Sequence, residues 1–163
     1  MDRIDEILAQ WHRERPDLDV RPMGLIGRLM RVARHLSREM EKTFAAHGLN
    51  RACFDVLATL RRSGPPYALS PGDLMAATMV TSGTVTNRVD QLEKAGLVVR
   101  TPSPEDGRSV LISLTDKGFA VADAAVTAHV ETQARLTSML SNDDWAALDA
   151  VLRRYLTALE KPS

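Results

Sequence analysis

Between Thr81 and Leu97 the chain reads TSGTVTNRVDQLEKAGL. Its front half offers Ser82, Thr84, Thr86 and Asn87, compact groups that donate and accept hydrogen bonds at base edges and phosphate oxygens. Gly83 keeps the backbone bare, so a helix starting there can approach a nucleic-acid backbone and turn its amides toward phosphate. Behind them Val85, Val89 and Leu92 recur at helical spacing, and Gly96 supplies the stop. A Ser/Thr/Gly cluster before an apolar stripe is, by itself, explained by helix capping. The elements around the stretch decide between the two readings.

Those elements are mostly helices. DRIDEILAQWHRER sets Ile4, Ile7, Leu8 and Trp11 at helical spacing behind Asp2, a fitting N-cap. Pro22 is preorganised for a first helical position, and an apolar stripe then runs from Leu25 to Phe44, with Gly48 as the stop. Asn50 caps RACFDVLATLRR. Ser70-Pro71-Gly72-Asp73 has the form of a capping box and opens a helix of about two turns, DLMAATM. After the stretch 81–97, the β-branched segments LVVRTPS and SVLISL flank a turn-rich run, 102–107, and predict a hairpin. Thr115 caps a long helix to about Leu140, and Ser141 caps a last one.

Two short helices joined by a tight turn and followed by a two-stranded hairpin make a winged helix-turn-helix. The expected fold is therefore mainly α with a small β-hairpin, with long terminal dimerisation helices and an extra N-terminal helix. In that setting the second short helix fits the major groove, Ser82, Thr84, Thr86 and Asn87 face the DNA, and the hairpin loop offers Arg108 to the minor groove. Helices 22–47, 116–140 and 142–160 carry more apolar stripe than so small a lobe can cover. That excess predicts a homodimer placing two recognition helices on a pseudo-palindrome.

Composition neither adds to this nor opposes it. Apolar residues make up 44% and charged residues 26% of 163, and 21 basic groups balance 21 acidic ones. Most of the basic residues of the second helix, Arg21 to Lys42, are assigned to its solvated face. Hydrophobic runs are broken by charges before they reach membrane length, and a lone Cys53 fits a reducing compartment. His12, His35, His47 and His129 are scattered, so no metal site, cofactor or catalytic arrangement is expected. The expectation is a cytoplasmic, single-domain, non-enzymatic DNA-binding protein, divided into 1–48, 50–114 and 115–163.

VTNRVDQLEKAGLVVR, the wing SPEDGRSVLISLT and the following DKG resemble the MarR transcriptional regulators. The resemblance spans roughly Leu25 to the C-terminus. It implies that Arg108 enters the minor groove and that Asp106 steadies it. Many members carry a second arginine where this chain has Gly107. RPDLD, PMGLIGRL, HGLNRACFDVLATLRRSGPPYALSP and MVTSGTVTNRVDQLEKAGLV are similar to the urate-responsive, PecS/HucR-like branch. That branch implies a ligand site built from Trp11, Asp55, Arg88 and Arg100, and release of DNA, as a repressor, by urate or a related purine. Homologues of the branch often carry an acidic residue where this chain has Ala52-Cys53.

The chemistry of those residues suits a planar anion. Trp11 offers a flat apolar surface, Arg88 a cation with paired donors, and Asp55 an acceptor for ring N–H groups. Residue types alone also fit core packing for Trp11, an Asp55–Arg88 ion pair, a phosphate contact for Arg88 and solvation for Arg100. Other open readings are a phenolic or aromatic-carboxylate effector, oxidation of Cys53, and a helical interaction dimer without DNA binding.

Overall fold

The computed structural model describes residues 1–78, 82–103 and 109–161, with the backbone alone for 82–84. Its described residues form two compact units, Met1–Lys42 and Thr43–Ser163. The first unit opens on a complete capping box. The Asp2 carboxylate accepts the amides of Ile4 and Asp5, and the Asp5 carboxylate takes the Asp2 amide in return. Helix α1 then runs Arg3–Glu14, and helix α2 begins at Arg21 and extends to Ala46. Pro22 is thus the second residue of α2, because the Asp19 carboxylate accepts the Arg21 amide and starts the helix one residue earlier. Glycines on α2 let the two helices approach. Ile4 rests on Gly27 and Leu8 on Gly24, where an added Cβ would stand 2.9 Å from the Leu8 methyl. Arg28 closes the pair by binding both Asp2 and Asp5.

In the second unit Asn50 accepts the Cys53 amide and starts α3, Arg51–Arg62. Val56, Leu57 and Leu60 on this helix are wholly buried. Around them come β1 (Ala68–Leu69), α4 (Pro71–Ala77), α5 (Ser82–Lys94), β2 (Val98–Pro102), β3 (Val110–Leu114) and α6 (Asp116–Thr137). α6 therefore ends about three residues short of the expected Leu140. The hairpin expected from sequence is β2–β3, registered from Val98 opposite Leu114 to Pro102 opposite Val110. The strand β1 adds to the far side of β3, giving the antiparallel order β1-β3-β2.

Leu74 of α4, Val85, Val89 and Leu92 of α5, Ile112 of β3, and Ala122 and Ala125 of α6 complete this core. Each large aliphatic side chain so buried contributes about 1.5–3 kcal/mol. A second cluster stacks Phe44 on Phe54 at 4.3 Å, with the His129 ring about 5 Å from both. The last helix, α7 (Asn142–Leu159), is capped by Ser141 and has no buried residue. Among the described residues no helix is long and apolar enough to cross a membrane.

Candidate nucleic-acid interface and effector site

Helix α5 has one covered side and one open side. Val85, Val89 and Leu92 are turned into the core, which leaves Thr86 and Asn87 exposed. This follows from the sequence spacing, because positions i+1 and i+2 lie off an i, i+4, i+7 stripe. Thr86 and Asn87 are thus free to meet a groove. Ser82 and Thr84 lie within α5, but their side chains are outside the described residues, as are Asp106 and Arg108 of the wing loop.

Arg88 sits at the border between the two sides and is half-buried. Its Nη1 donates to the Gln91 side-chain oxygen at 2.9 Å, and the Cys53 thiol donates to the same oxygen at 3.8 Å. The Arg88 Nε is buried and has no acceptor among the described residues. Burial raises the Cys53 thiol above its ordinary pKa, with the Arg88 charge pulling the other way. Gln91 and Cys53 were not among the expected site residues. The i, i+3 spacing of Arg88 and Gln91 on one helix was the available signal.

Arg100 has a different set of partners. From β2 it reaches back to α5, with Nη2 on Asp90 at 2.5 Å and its other terminal nitrogen on Glu93. Its own amide also donates to the Glu93 carboxylate at 3.3 Å. The arginine therefore joins the recognition helix to the first strand of the wing. It borders a cavity of about 340 Å³ whose walls include Pro71, Met75, Val85, Thr86 and Val89.

Asp55, half-buried on α3, lines a larger groove of about 440 Å³ with Phe54, Ala58, Arg62, Val126 and His129. Trp11 belongs to α1 in the first unit and is 40% exposed. Within the second unit the expected ligand residues have separate partners: Arg88 meets Gln91, Arg100 meets Asp90 and Glu93, and Asp55 lines the α3–α6 groove. Among the described residues no group of three or more His, Cys, Asp or Glu is placed to hold a metal ion.

Residues 47–109, which take in α3 through the start of the wing, match the family model described as MarR family. The transcriptional regulator PecS of Dickeya dadantii is 45% identical over 151 residues, covering 93% of this chain and 91% of its own. A cysteine-to-serine mutant of Escherichia coli MarR, solved in complex with operator DNA, superposes with a TM-score of 0.69 at 26% identity, over 90% of this chain and 97% of that one. Bordetella bronchiseptica BpsR, whose DNA binding is regulated by 6-hydroxynicotinic acid, gives 0.67 at 27% identity over 78% and 89%. With its winged helix-turn-helix and this similarity over almost its whole length, the chain belongs to the MarR family of DNA-binding transcriptional regulators.

Proposed function

We propose that the protein is a homodimeric repressor that leaves a pseudo-palindromic operator when urate or a related purine anion binds beside Arg88. The observation that carries this reading is the state of that guanidinium. It stands on the recognition helix, one nitrogen satisfied by a neutral amide and Nε without an acceptor among the described residues. A planar anion accepting from Nε and a terminal nitrogen in parallel would bind it better than Gln91 does. Such an anion would compete for the Gln91 contact that links α5 to Cys53 on α3, and so bias the helix toward a different seat. Release of DNA then follows from the anion's greater affinity for that second arrangement.

Dimerisation is supported by α7. Trp145, Leu148, Leu152, Tyr155 and Leu159 follow a three-four-three-four spacing, and all five are exposed. That is the spacing of a helix seam built to meet other helices, and a twofold copy supplies them.

The test is a DNA mobility shift titrated with urate and with salicylate, on the wild type, Arg88→Ala and Trp11→Ala. Urate should release DNA from the wild type, while Arg88→Ala should keep DNA binding and lose the release. DNA binding unchanged at high urate would sink the effector assignment. Loss of DNA binding in Arg88→Ala would make that residue a DNA contact instead.

A second reading rests on the 340 Å³ cavity beside Arg100, which pairs an apolar wall with a cation and the Thr86 hydroxyl. Those features suit an aromatic carboxylate, the class to which the BpsR effector belongs. Salicylate releasing DNA where urate does not would select it. Oxidation of Cys53 is less well supported, because burial holds the thiol protonated.

A further inference from the structure

The two helices of the helix-turn-helix end alike, each on carbonyls held by a basic side chain from outside the pair. Ala77 O, at the end of α4, accepts from Arg62 Nη2 of α3 at 2.5 Å. Beyond α5, Ala95 O accepts from Lys117 Nζ at 2.9 Å. Gly96 O accepts the Thr115 hydroxyl at 2.7 Å, and Leu97 O accepts the Thr115 amide at 3.1 Å. Gly96, at φ +69°, lets the chain turn so that three successive carbonyls meet one short segment. The Thr115 hydroxyl works in both directions, since it also accepts the Gly118 amide as the N-cap of α6. Gly118 itself lies so close that an added Cβ would stand 1.8 Å from Leu97 O. The end of α5 and the start of α6 therefore form one hydrogen-bonded joint.

We propose that this joint, made by Thr115, Lys117 and Gly118, sets the direction of the recognition helix relative to α6 and thereby the half-site spacing the protein accepts. The proposal rests on the homodimer reading. The apolar contacts of Val85, Val89 and Leu92 hold α5 to the lobe but are non-directional, so they tolerate small rotations. Arg100 restrains α5 against the wing, within the same lobe. The joint instead ties α5 to a 22-residue helix leading to α7, the helix with the bare apolar seam. Leverage makes its direction matter. Thirteen residues make a helix of about 20 Å, and a tilt of about 10° at one end moves the other by about 3.5 Å. That displacement is about one base-pair step. Thr115 and Lys117 are thus positioning residues for DNA recognition, touching no base themselves.

The experiment uses the full chain and duplexes it selects from a random library, remade with spacers one and two base pairs longer or shorter. Affinity for each spacing is measured beside dimer mass and melting temperature, for the wild type, Lys117→Met, Thr115→Val and Thr115→Ser. The wild type should bind one spacing sharply. Lys117→Met should remain a dimer with near-normal melting, bind the preferred spacing about three- to tenfold more weakly, and lose much less at the others. Thr115→Val should flatten the profile similarly, and Thr115→Ser, which keeps the hydroxyl, should restore it. Equal weakening at every spacing would overturn the proposal by reducing the joint to a support of the fold. An unchanged profile in Lys117→Met would overturn it as well. A wild type that is monomeric or indifferent to spacing would overturn the dimer reading first, and the proposal with it. Should Thr115→Val fail to fold, Lys117→Met alone decides.

Discussion

Helices α3 and α7 both carry an apolar stripe, yet they stand at opposite extremes of burial. Among the twelve residues of α3, Cys53, Val56, Leu57, Thr59 and Leu60 are buried. Among the eighteen of α7 none is, and Trp145, Val151 and Leu156 are each more than half exposed. Periodicity reports which face of a helix is apolar; it does not report what covers that face. α3 is the centre of a lobe that completes its own core. α7 instead leaves its apolar side chains exposed.

The sharpest test of that contrast is a truncation in α3. Leu60→Ala removes a wholly buried side chain from among packed neighbours and should cost about 2–5 kcal/mol in chemical denaturation. Leu152→Ala on α7, measured at concentrations where the protein is monomeric, should cost well under about 1 kcal/mol. Comparable losses at the two sites would erase the distinction.

Next in size is the effect of charge on the bare seam. Leu148→Glu with Leu152→Glu should leave the helical signal and melting of the DNA-binding lobe in place. It should weaken self-association about thirtyfold or more, read by sedimentation, because two charges would enter the centre of the seam. Unaltered mass would mean that α7 is not the dimer surface.

What could be read from the sequence follows the same division. The limits of α1, α3 and α5 were legible because each is punctuated by a residue with a local physical role: Asp2, Asn50 and the left-handed Gly96. Thr86 and Asn87 could be placed on the open side of α5 because Val85, Val89 and Leu92 define the closed one. The strand β1 was not legible, since two residues have no periodicity and this strand exists through its pairing with β3. The surroundings of Arg100 were only partly legible. Its place on the first hairpin strand was expected from LVVRTPS, whereas Asp90 and Glu93 look in sequence like ordinary solvated helix charges. In sequence Thr115 reads as a cap alone, because its second partner, Gly96 O, is nineteen positions away.

The aromatic cluster behind α3 adds a pH dependence that α7 should lack. Burial lowers the pKa of His129 below the ordinary value of 6.5, with the Arg51 charge acting in the same direction. Well above 6.5 the imidazole is neutral folded or unfolded, and its contribution to stability is complete. As pH falls below that value the unfolded chain takes up a proton that the folded chain resists, so stability declines until the folded pKa is passed. The slope of melting temperature against pH between about 5 and 7 should therefore be positive in this lobe, and His129→Phe should reduce it. A slope untouched by the substitution would assign it to other groups.

The smallest effects separate the two helices by their caps. Asn50 caps α3 and Ser141 caps α7, each through one side-chain oxygen accepting an amide three residues on. Removing either should cost its own helix about 1 kcal/mol. Since α3 is locked into the core, Asn50→Ala should lower global stability by about that amount, and in a monomer and a dimer alike. Since α7 has no core of its own, Ser141→Ala should leave global unfolding of the lobe unmoved. Its cost should emerge instead as faster amide exchange in the first turns of α7 and as about fivefold weaker association, because a frayed helix must be reordered before it can pair. Exchange that quickens only below the association concentration would place the missing stabilisation of α7 in its partner.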